Sequence, residues 1–84
     1  MTTYNGYKSR AHWNTALWIN NDERFHNVLI NAVERAVYGD ISKAQVVVDI
    51  LHELPRRTPD GERWMFETIK ELVEENYNYQ LQYS

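Results

Sequence analysis

His52 and Glu53 open the tetrad His-Glu-Leu-Pro at residues 52–55, the first half of a helical zinc-hydrolase motif. That motif needs a second histidine four residues after the first, so that two imidazoles share one helical face. Arg56 stands there instead. The other histidines, His12 and His26, lie at no metal-ligand spacing from it or from each other. The chain has no cysteine, which excludes disulfides, thiolate metal sites and cysteine nucleophiles. Serine occurs only as Ser9, Ser42 and Ser84, and the glycines Gly6, Gly39 and Gly61 form no phosphate loop. Acids are numerous, but no pair is marked out for general acid–base work. The expectation is a protein without catalytic residues, metal or cofactor.

Two other groupings could bind something. Plotted at about 100° per residue, Glu67, Glu71, Glu74 and Glu75 fall on one stripe of a C-terminal helix, and Trp64 projects onto the same stripe. Tryptophan is enriched at binding hot spots, and a rim of carboxylates suits a partner with a basic surface. Trp64 could instead fold back over the preceding loop. The second grouping is cationic: Lys43, Arg56 and Arg57 would serve a DNA reader built on the second and third helices. Asp49 and Glu53 share that surface, and phosphate binding needs an excess of cations. An ordinary antiparallel helix pair is therefore the better reading, and nucleic acid is disfavoured as a partner.

Charge supports the acidic grouping. Residues 60–84 hold six acids and two bases, whereas residues 1–59 hold six acids and seven bases, within a net charge of −3. Eighty-four residues imply one domain with a small core. The longest aliphatic run is Val46-Val47-Val48, far short of a membrane span. The N-terminus lacks the apolar stretch of a secretory signal. Absence of cysteine in so small a domain points to a reducing cytoplasm.

The elements that must position these residues read as four helices. Ser9 caps the first, which runs to about Asn20. Trp13 and Leu17 share its inner face, with Ala16 beside them, whereas Trp18 lies about 140° away. Trp18 either meets a second layer or stays at the surface as an anchor. This helix is apolar nearly all round, so it could also form a dimer face. Asn20 to Glu23 reads as a capping box for the second helix, which carries Phe25, Val28, Leu29, Ala32, Val33, Ala36 and Val37 at helical spacing. Gly39 supplies a left-handed stop. Asp40 or Ser42 caps the third, which buries Ile41, Ala44, Val47, Val48, Leu51 and Leu54 before Pro55 ends it.

Thr58 as cap and Pro59 in the first turn start the fourth helix, whose inner face is Met65, Phe66, Ile69, Leu72, Val73 and Tyr77. It frays near Asn76–Tyr77, where tyrosines begin to alternate with amides. The tail then runs extended and can pair with Tyr4–Tyr7 as a short ribbon. The fold expected is all-α: one domain over 1–84, a compact bundle of about four helices, with 1–9 and 78–84 extended or poorly ordered.

The stretch from Tyr4 to Phe25 resembles the opening of a family of small proteins of tailed phages, prophages and plasmids. That opening reads Asn-Gly-Trp, a short polar stretch, Thr-Trp, then Leu-Trp-x-x-Asn-Asp. Asn5, Gly6, Leu17, Trp18, Asn21 and Asp22 match it, Tyr7 replaces the first tryptophan, and His12 precedes Trp13 where threonine is usual. The resemblance implies a mobile-element origin. Small acidic proteins of such elements often act by binding, as inhibitors of CRISPR or restriction do. The function expected is a non-enzymatic binder in the host cytoplasm that covers a basic host surface through Trp64, Glu67, Glu71, Glu74, Glu75 and Trp18. A DNA-associated regulator using Lys43, Arg56 and Arg57 is the alternative, and a self-associating structural protein a third.

Overall fold

The computed structural model describes residues 6–39 and 41–83, and so leaves Tyr4, Asn5 and Asp40 outside. It contains α1 (Arg10–Asn21), α2 (Glu23–Tyr38), α3 (Lys43–Glu53) and α4 (Phe66–Tyr83), and no strand among the described residues. The all-α bundle is the architecture expected. Helix α2 touches all three others, α4 packs on α1, α2 and α3, and α1 and α3 do not meet. The pair α2–α4 is therefore the centre, with α1 and α3 on its flanks.

The capping chemistry is local and explains most boundaries. Ser9 Oγ accepts from His12 N, and Ser42 Oγ accepts from Gln45 N at 3.1 Å. Asp22, not Asn20, caps α2: its carboxylate accepts from the backbone of Arg24 and Phe25. Asn20 is still inside α1, so the break between the two helices is a single residue wide. Gly39 ends α2 with extended backbone (φ −130°) and not in the left-handed form. Its role is steric: a Cβ there would stand 2.7 Å from the Arg35 carbonyl oxygen.

The core consists of Ile19, Phe25, Leu29, Ala32, Val33, Ala36, Val46, Val47, Ile50, Leu54, Ile69, Leu72 and Val73. Helix α2 buries the face expected of it. The flanking helices are rotated relative to their apolar patterns. In α3, Val46 and Ile50 point inward and Val48 and Ala44 face outward. Three adjacent valines let either face fit, and contact with both α2 and α4 selects the one that includes Ile50. In α1, Asn14, Thr15, Ala16 and Ile19 are buried, while Trp13 and Leu17 are only partly covered. Trp18 packs against the core.

Helix α4 differs at both ends. It begins at Phe66, because residues 58–61 form a turn: Gly61 N donates to Thr58 O at 2.8 Å, with Gly61 at φ +86°. That backbone angle cannot continue a right-handed helix. Phe66, expected inside, is 47% exposed. The helix does not fray at Asn76–Tyr77 but runs to Tyr83, so there is no extended tail to pair with the N-terminal segment. Asn76 Nδ2 donates back to Leu72 O at 2.8 Å, and the Lys43 ammonium lies 5.0 Å from the Tyr77 ring centre. Those contacts hold the turn in helical form.

Candidate functional site

The segment 54–65 that links α3 to α4 is fastened to α1 by a polar clasp. Asp60 Oδ2 accepts from Asn14 Nδ2 at 2.7 Å and from Trp18 Nε1 at 2.9 Å. These two bonds, Asn14's first, with the charge of Arg10 behind them, hold the Asp60 carboxyl below its ordinary pKa. Thr15 Oγ1 donates to Ala11 O and accepts from Met65 N, both at 2.9 Å. The clasp thus satisfies the backbone N–H of Met65, the residue just before α4. Within the segment, Thr58 is buried, its N–H donates to Glu62 O, and its hydroxyl accepts from Glu62 N at 3.0 Å. Thr58 therefore closes a loop and does not cap a helix.

Trp64 lies in this segment and not on α4. Its indole N–H donates to Pro55 O at 2.8 Å, and its ring meets Phe25 edge-on at 5.3 Å. Phe25 meets Trp18 edge-on as well, at 6.5 Å, so Phe25 joins the two indoles in one cluster. The expectation that Trp64 shares the acidic stripe of α4 is therefore wrong, and the fold-back over the preceding loop is what occurs. Trp18 likewise has a structural task, through its ring and its N–H.

The glutamates do share an exposed face of α4. Glu67 is tied down: Lys8 Nζ donates to Oε2 at 3.2 Å and lowers its pKa, and His12 Nε2 lies 3.8 Å away. Glu71, Glu74 and Glu75 make no ion pair among the described residues.

The cationic residues separate and regroup. Lys43 stands at the start of α3, against Tyr77. Arg56 and Arg57 follow the far end of α3, and Arg63 joins them. These three arginines rim a cleft of about 520 Å³ whose apolar wall includes Leu54, Pro55 and Trp64. All three are exposed and none has an ion pair among the described residues. Arg57 Nη1 makes a long contact to Gly61 O at 3.4 Å. The sequence offered Arg63 as a charge, but assigning residues 58–65 to a helix hid its proximity to Arg56.

Two buried polar atoms lack a partner among the described residues: Asn14 Oδ1 and His26 Nδ1. No three histidine or acidic side chains come together as metal ligands among those residues. Among the described residues the strongly exposed large apolar side chains are Tyr38, Val48, Phe66, Tyr79 and Leu81, none of them on α1, where Trp13 and Leu17 are half-buried. No described helix is long and apolar enough to cross a membrane.

No curated protein and no solved structure matches the chain. A family profile matches residues 1–81, and the protein belongs to that family, described as a family of unknown function (DUF7249).

Proposed function

We propose that this protein is a non-enzymatic binding protein of a phage or related mobile element, and that its contact surface is the acidic outer face of α4. One observation carries the reading: Glu71, Glu74 and Glu75 are exposed on one continuous helix and lack intramolecular counter-ions among the described residues. Intramolecular pairing would have spent these charges. Left unpaired, they project a local negative field that steers a basic partner and sets its orientation. Trp18 is committed to the clasp and Trp64 to the Pro55 carbonyl and the Phe25 ring, so neither is counted as an anchor of this face. Phe66, Tyr79 and Leu81, exposed on the same helix, supply the apolar contacts instead.

The mobile-element origin rests on the resemblance of the opening residues. From it follows the reading of an inhibitor of a host defence complex, acting in the host cytoplasm. The test is affinity capture from host lysate, followed by titration of the purified partner. Charge reversal at Glu71 and Glu75 should slow association, and the loss should shrink as salt rises. A partner bound equally well by the reversed protein would end the assignment of this face.

A further inference from the structure

We propose that the arginine-rimmed cleft beside Trp64 binds a nucleotide-sized polyphosphate ligand, with the phosphates on Arg56, Arg57 and Arg63 and the flat base against the indole. The inference goes beyond the protein-contact reading and uses none of its residues, so either can fail alone. Three guanidinium groups gather at one cleft in a protein of net negative charge, without an ion pair among the described residues. Guanidinium forks bind phosphate oxygens in pairs. Three such cations exceed what a lone carboxylate would need and suit adjacent phosphates.

The cleft is also built. Its volume of about 520 Å³ falls in the range of small-molecule sites, and three of its seven lining residues are arginines. Trp64 is immobilised by the Pro55 carbonyl and by Phe25, so a planar base meets a surface that needs no further ordering. The turn that carries Arg57 toward Arg63 is held by Thr58 and by the Asp60 clasp to α1.

The experiment is calorimetric titration of the full chain with ATP, with inorganic pyrophosphate and with a single-stranded oligonucleotide, at low and physiological salt. Pyrophosphate should bind, and ATP should bind about tenfold more tightly, because the base adds a stacking contact. Arg56→Ala and Arg63→Ala should each weaken ATP about tenfold or more while leaving the melting temperature unchanged, since both side chains are exposed. Arg35→Ala, an exposed arginine on α2, should change nothing. Absence of ATP binding at millimolar concentration would overturn the proposal. So would equal losses from Arg35→Ala, or an oligonucleotide that binds more tightly than ATP. The last result would make the surface a nucleic-acid track.

Discussion

Asn14 is fully buried and gives one amide hydrogen to Asp60, while its own carbonyl oxygen finds no partner among the described residues. Its value is therefore donation, and two substitutions separate that from packing. Asn14→Ala removes one donor and one orphan acceptor, so it should cost only about 1 kcal/mol. Asn14→Asp sets a buried carboxylate against the Asp60 carboxylate and should lower the melting temperature at neutral pH by on the order of 10 °C. Acidification should partly restore that variant, because a protonated side chain at position 14 regains a donor. The parent protein should respond in the opposite sense. The Asp60 carboxyl is held below its ordinary value of 3.8, chiefly by the Asn14 bond. Its stabilisation is thus fully present above that value in the unfolded chain and is lost as pH falls through the lower folded value. Thermal melts between neutral pH and pH 3 should show a shallower acid loss for Asp60→Asn than for the parent. Identical slopes would mean that the clasp contributes nothing through its charge.

At the scale of elements, glycine and tryptophan positions give the sharper tests. Gly39→Ala should destabilise by about 1–2 kcal/mol although its φ is ordinary, because the new methyl meets a backbone oxygen that cannot swing aside. Gly61→Ala should cost about 1 kcal/mol for a different reason, its left-handed backbone, with open space around the Cβ. Trp64→Ala should lower stability by about 2–4 kcal/mol, whereas Glu71→Lys with Glu75→Lys should leave the melt nearly unmoved; chemical denaturation of the two variants checks both.

These contrasts follow the line between what was legible in the sequence and what was not. Helix α2 was legible because its apolar residues repeat without a miss and one face is buried. Ser9 and Ser42 were legible because an N-cap acts over three residues. The inward face of α1 was not, since Asn14 and Thr15 look polar until the loop they hold is in place. The start of α4 was misplaced for the same reason: Thr58, Pro59 and Asp60 carry helix-start chemistry, but Gly61 and the distant Thr15 redirect the chain. The acidic stripe was legible apart from Trp64. The arginine cleft was not, because it depends on that redirection.

At the scale of the whole molecule, the long axis of the particle is 40 Å against 24 and 21 Å across. Near the end of α4, Leu81 is 53% exposed and takes no part in the core. Leu81→Ser should leave the melting temperature within a few degrees of the parent and weaken any partner that uses this end; the melt and a binding titration read the two effects. Incubation with a chelator should leave both stability and binding unchanged; a fall in melting temperature would reveal a structural metal.

The clasp has a further consequence, for the order of events when the chain folds. Asn14, Thr15 and Trp18 reach partners 42 to 50 residues away, whereas α2 and α3 are neighbours in sequence. Contacts that close long loops carry the larger entropic cost, so the α2–α3 hairpin should form early and α1 should lock onto the 58–65 turn after the rate-limiting barrier. Thr15→Val keeps the side chain's shape and removes the hydroxyl that joins Ala11 to Met65. In stopped-flow denaturant jumps it should speed unfolding and leave the refolding rate almost unaltered, which corresponds to a φ-value near zero. A matching slowdown in refolding would place the clasp inside the folding nucleus instead.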